Sequence, residues 1–183
     1  MILPRLTAIT FALCAVVPAT AQEVTGVTVV EHGLYTAEVV SSEVLPNGIG
    51  RATLRNICHV VTTRSVPALM NVMFGFRFIV EGAPQGEVIE LRRVTRYPVP
   101  MKPLPSRPPV LEYDHTFGAR IGVLSYIGYG FDHAWELQTG PWTLELWYGQ
   151  RKLAEQVFEI VERGERPAPP TTSDSNCFQL SSL

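Results

Sequence analysis

Four histidines, His32, His59, His115 and His133, are the side chains from which an acid–base pair or a metal centre would have to be drawn. Two of them follow aspartates, as Asp114-His115 and Asp132-His133. A carboxylate beside an imidazole suits proton transfer or the holding of a divalent metal. On an extended strand, however, adjacent side chains point to opposite faces, so neither dipeptide chelates through both groups without a bend. The spacing lacks a zinc-ligand pattern and lacks H-x-x-x-H, which makes surface or loop histidines the plainer reading. A periplasmic enzyme or metal carrier using Asp114, His115, Asp132 and His133 is the alternative.

Nucleophilic chemistry leaves less trace. A serine hydrolase usually shows Gly-x-Ser-x-Gly, which is absent, and Cys58-His59 on a strand would send thiol and imidazole to opposite sides. Gly48-Ile49-Gly50 and Gly128-Tyr129-Gly130 are too short for phosphate loops and read as bulges or turns. By alternation Glu136, Glu145, Glu155 and Glu159 fall mostly on solvent-facing positions, as surface charge rather than a glycosidase pair. No catalytic residue, cofactor or metal ligand is assigned. The aromatic residues of the second half are mostly core. Trp147, which shares a face with Thr143 and Glu145, is the candidate for binding a partner.

What positions these residues is a β framework. From Val24 onward apolar residues recur with period two, and Gly and Pro cut the pattern into short runs. Val24 to Thr36 and Arg51 to Arg64 read as strands joined through Pro46-Asn47-Gly48, with Leu54, Cys58 and Val60 on one face. In Phe74 to Glu81 the three phenylalanines and Val80 share a face opposite Gly75, Arg77 and Glu81. Gly82 to Gly86 then predicts a hairpin loop leading into Glu87 to Tyr97. Pro98 to Pro109 is an extended connector crossing between sheets or running along an edge. Trp142, Leu144, Leu146 and Tyr148 form one face of a strand that turns at Gly149-Gln150-Arg151-Lys152. The next strand offers Ala154, Phe158 and Ile160. About seven antiparallel strands without a helical period predict an all-β, immunoglobulin-like sandwich.

The amino terminus gives an address. Arg5, an uncharged run from Leu6 to Val17, Pro18 and Ala19-Thr20-Ala21 have the form of a secretory signal peptide cleaved after Ala21. The apolar run is too short to span a bilayer, and no other stretch is long and apolar enough. Leu13 before Cys14 does not suit lipoprotein processing, so Cys14 leaves with the leader. The expected organisation is a signal peptide over 1–21, a β-sandwich domain over 22–162 and a flexible Pro/Ser/Thr-rich tail over 163–183, in a periplasmic or secreted protein. With 15 Lys plus Arg against 17 Asp plus Glu and no basic block, nothing attracts nucleic acid or an anionic membrane surface.

Phe74-Gly75, the proline-rich connector, Phe131-Asp132, Trp135-Glu136-Leu137 and Gly140-Pro141-Trp142, followed by Leu153-Ala154-Glu155 and Phe158, resemble an uncharacterised bacterial exported family. It is the domain-of-unknown-function family numbered thirty-eight fifty-nine, and the similarity covers about Val24 to Val161. The closing hairpin also looks like that of many immunoglobulin-like bacterial modules. The resemblance implies a fold and carries no activity.

Export leaves two cysteines, Cys58 and Cys177, in an oxidising compartment. An internal bridge would pin the tail across the sandwich. The other reading is a buried thiol at Cys58 with Cys177 free for an intermolecular bond. The expected function is an exported, non-catalytic binding or envelope-associated module whose partner is a protein or a glycan, engaged through loops or an edge strand.

Overall fold

The computed structural model describes residues 23–45, 48–103, 105–106, 108–162 and 177–178. The expected leader and its Ala21 cleavage site, and the tail apart from 177–178, lie outside the described residues. Alternating apolar residues produce ten strands in two five-stranded sheets. These are β1 (Glu23–Val44), β2 (Gly50–Val61), β3 (Ser65–Pro67), β4 (Met73–Ala83), β5 (Val88–Met101), β6 (Val110–Arg120), β7 (Leu124–Gly130), β8 (Gly140–Tyr148), β9 (Arg151–Val161) and β10 (Cys177–Phe178). The first sheet runs β10-β2-β1-β4-β7 and the second β3-β9-β8-β5-β6. Pairing is antiparallel except between β3 and β9. The sandwich is immunoglobulin-like, and the short β3 and β10, which carry too few residues to show a period, take it beyond about seven strands.

Burial follows the alternation. Phe74, Phe76, Phe78 and Val80 of β4 are fully buried and face Trp142, Leu144 and Leu146 of β8 and Phe158 and Ile160 of β9 in one core. Trp142 stands at its centre, with Tyr97 and Tyr129 at ring-centroid distances of 4.9 Å each, Phe131 at 5.6 Å and Phe74 at 6.0 Å. Its indole N–H donates to the Gln138 carbonyl at 2.9 Å, so the ring is buried without an orphaned donor.

Three expectations are corrected. β4 and β5 form no hairpin: β4 lies between β1 and β7, β5 lies between β6 and β8, and Gly82 to Gly86 carries the chain from one sheet to the other. Both edges of β4 are already occupied, so β5 had no free edge to join. Leu54, Cys58 and Val60 do not share a face either. Asn56, at φ 50°, forms a bulge where the β1 register steps from Thr36↔Cys58 to Glu38↔Arg55, which places Leu54 with Ile57 and leaves Val60 on the main core. Finally, Pro98 to Pro109 returns the chain within one sheet, from β5 to the edge strand β6, with Met101 opposite Val110.

The hidden surface of β8 is not its only buried one. Glu145, expected on the surface, is 3 % exposed. It accepts from the Trp147 indole N–H at 2.8 Å, from Arg96 Nε at 3.1 Å and from Lys152 Nζ at 3.3 Å. Burial alone would raise its carboxyl, but these donors together bring it below the usual carboxylate range. Trp142→Ala and Phe76→Ala are therefore expected to cost about 3–5 kcal/mol each. Glu145→Ala, which strips a buried acceptor from three donors, should cost about 1–3 kcal/mol. Thermal melts that left Trp142→Ala as mild as Glu145→Ala would place the core elsewhere.

Candidate functional site

The two sheets close over the aromatic core but part along one side, where each ends in a strand whose outer edge is unpaired among the described residues: β7 in the first sheet and β6 in the second. Between these edges runs a cleft of about 640 Å³, flanked by Arg51 to Arg55 on the tip of the β1–β2 hairpin. Gly128 shows how β7 presents itself there. Arg93 of β5 donates to the Gly128 carbonyl at 2.6 Å, so this peptide group faces away from β4. In a strand the N–H and C=O of one residue point the same way and alternate along the chain, so Tyr126 and Gly128 both present main-chain groups to the cleft.

Gly128 is also required sterically. A Cβ there would lie 1.9 Å from the Tyr126 hydroxyl, and one on Gly75 of the neighbouring strand 2.9 Å from it. These two glycines let the Tyr126 ring lie over the sheet beside Tyr35, at a centroid distance of 4.8 Å. The Gly128-Tyr129-Gly130 motif is thus a seat for an aromatic ring rather than a turn.

Arg93 and His115 sit opposite each other across the β5–β6 pair, and both line the cleft. Tyr113 and Phe117 flank His115 on the same face, with ring centroids 5.6 and 6.2 Å away. Burial, then the charges of Arg93 and Arg51, push the His115 imidazole down to about 4, while Asp114 opposes the shift weakly. Burial likewise lowers Arg93 from the usual guanidinium range. The buried Arg93 Nε and His115 Nδ1 both lack hydrogen-bond partners among the described residues.

The acidic wall of the cleft is Asp132 and Glu136. Glu136, expected as surface charge, is 3 % exposed. It closes a short 3-10 turn, Ala134–Glu136, by accepting from the Asp132 and His133 backbone N–H groups at 2.6 and 2.7 Å, and it takes the Tyr129 hydroxyl at 2.7 Å. Burial raises its carboxyl, an effect those three donors only partly offset.

Of the four residues that an acid–base or metal site would use, His115 and Asp132 reach the cleft. Asp114 points to the other face of β6 and pairs with Arg92 at 3.3 Å, and the exposed His133 stacks on Trp135 at 5.7 Å. The four do not converge. Trp147 is half-buried on the outer face of the second sheet, with Arg92 and Lys152 over its ring at 5.1 and 5.7 Å. The sequence did not single out Arg93. The one signal that could have found it is its position between Leu91 and Thr95 in the inward alternation of β5, a cation where an apolar residue belongs.

Cys58 and Cys177 are joined as a disulfide, directly opposite each other on β2 and β10. Among the described residues, no helix is long and apolar enough to cross a membrane.

The sequence profile of a family described as "Domain of unknown function (DUF3859)" matches residues 23–160. An immunoglobulin-like protein from Pseudomonas aeruginosa, known from its crystal structure, is 19 % identical, with a TM-score of 0.51 over 78 % of this chain and 98 % of that one. At that identity the likeness speaks for the fold alone. No curated protein matches the sequence.

His115 makes the site pH-sensitive. An unfolded histidine titrates near 6.5 and this one is held near 4, so between those values the unfolded chain binds more protons than the folded one. Stability should therefore fall as pH drops through that window. The fall should be shallower in His115→Gln, with His32, also lowered by burial and by Arg64, contributing equally to both proteins. Thermal melts from pH 7 to 4 read the difference, and parallel profiles would contradict the burial of His115.

Proposed function

The chain belongs to the DUF3859 family of domains of unknown function, and from that premise we propose that it is an exported, non-catalytic binding module. Its ligand is an extended polypeptide that adds as a strand in the cleft between β6 and β7. The observation that carries this reading is the pair of free strand edges facing one cleft, with the Gly128 peptide group turned outward. An unpaired edge offers main-chain donors and acceptors to any extended chain, and recognition of that kind needs little sequence signature. The Tyr126 ring and the exposed Val39 and Val40 at the hairpin tip supply apolar contact along the same cleft.

Export is supported by the leader-like Leu6 to Ala21 and by the Cys58–Cys177 bridge, which suits an oxidising compartment such as the periplasm. The bridge would hold β10 against the far edge of the first sheet, leaving β7 as the edge available to a partner. The mature form should then begin at Gln22.

Selection of random peptides on the mature protein, followed by amide chemical-shift mapping, tests the binding reading. Binders should perturb Tyr126 to Gly130 and Thr116 to Arg120 and be extended when bound. A footprint on the Trp147 face or the far loops, selection of glycans but not peptides, or an intact Met1 on the exported protein would each overturn the corresponding part.

A further inference from the structure

The cleft of the proposed strand-adding module contains a cation that the fold itself does not neutralise. Four arginines line it. Arg51 pairs with Glu43 and Arg55 with Glu38, while Arg120 donates to the Gly86 carbonyl. Arg93 has no carboxylate within ion-pair distance among the described residues. Among the described residues, the one side-chain hydrogen bond of Arg93 is that to the Gly128 carbonyl, and its buried Nε has no partner. Of the two acids on the cleft wall, Glu136 is committed to Tyr129 and to two backbone N–H groups, and Asp132 forms no ion pair with Arg93 among the described residues. A guanidinium taken out of water without a counter-charge is costly, and the cost is recovered when a carboxylate enters and accepts from two of its five N–H donors at once. His115, across the strand pair, adds a buried Nδ1 that is also unpartnered and tautomer-free to donate. Tyr113 and Tyr126 on the cleft lining give flat apolar walls to either side.

We propose that Arg93, with His115 beside it, is a carboxylate-binding subsite, and that the extended polypeptide held between β6 and β7 is acidic, placing a glutamate or aspartate side chain or its C-terminal carboxylate on the Arg93 fork. This rests on the strand-adding reading, but the subsite can be tested without it.

The probe is acetate, titrated at constant ionic strength against chloride into mature protein labelled with nitrogen-15, with inorganic phosphate as a second anion and acetamide as the neutral control. The expected result is a saturable shift of the Arg93 Nε–H resonance and of the His115 ring nitrogens with acetate and not with acetamide or chloride. Arg93→Gln should lose about tenfold or more of the affinity, and His115→Ala should weaken it less. Should Arg93→Gln fail to fold, the wild-type Arg93 Nε–H resonance carries the test by itself. Phosphate binding more tightly than acetate, or an Arg93 resonance unmoved at saturating acetate, would overturn the subsite, even if peptides still bound along β7. Acetate binding at Arg93 with no peptide selected would uphold the subsite and reject strand addition.

Discussion

Two sheets can close on each other only where their facing side chains are apolar, and along the β6–β7 seam the facing side chain is the Arg93 guanidinium. Elsewhere the closure is made by a core of aliphatic and aromatic side chains, with Phe74, Tyr97, Tyr129 and Phe131 packed around Trp142. A cation cannot join that pile without a partner, and the partner it finds is the outward-turned carbonyl of Gly128 on the opposite sheet. This contact bridges the sheets at their open side, where the β4–β7 ladder turns the Gly128 peptide group outward. His115 lies in the same seam, its imidazole lowered first by burial and then by the charges of Arg93 and Arg51.

The buried charges Glu136, Glu145 and Arg77 each meet an opposite charge or several donors inside the protein, and the contrast gives Arg93 its meaning. Glu136 uses both carboxylate oxygens to fix the turn after β7, and Glu145 gathers Trp147, Arg96 and Lys152 on the outside of the second sheet. Arg77, on the outer face of the first sheet, pairs with Glu31 at 2.7 Å, donates to the Ile57 carbonyl and lies over the Tyr35 ring. Each of these charges is engaged inside the protein by an opposite charge or by several hydrogen bonds. Arg93 is the cation on the cleft lining whose satisfaction is incomplete, as befits a group that meets something from outside.

The strand faces were legible because burial enforces alternation: Phe74, Phe76 and Phe78 against Trp142, Leu144 and Leu146 needed nothing beyond the period of two. The family resemblance was legible for a related reason, since Gly140-Pro141-Trp142 and Phe158 are core residues of that closing pair. Which strands share a sheet was not legible, because a short loop such as Gly82 to Gly86 suits a hairpin and a sheet-to-sheet crossing equally well. The Asn56 bulge escaped because one extra residue inverts every face after it and leaves no mark in composition. Glu136 and Glu145 were misread because alternation places a side chain above or below a sheet but does not say whether other side chains cover it. Arg93 was hidden for the opposite reason: a charged residue in a strand is assigned to the outside by habit, though its parity with Leu91 puts it inside.

The central claim is that the seam is open and that its strand edge is unpaired. Hydrogen exchange, resolved residue by residue, measures this directly. The Tyr126 and Gly128 amides, turned toward the cleft, should exchange fast in the free protein, while the alternating Ile127 and Tyr129, paired to β4, and Phe76 and Leu144 in the sheet centres exchange slowly. Protection of Tyr126 and Gly128 equal to that of Ile127, Phe76 and Leu144 would mean a closed seam, and would contradict the account.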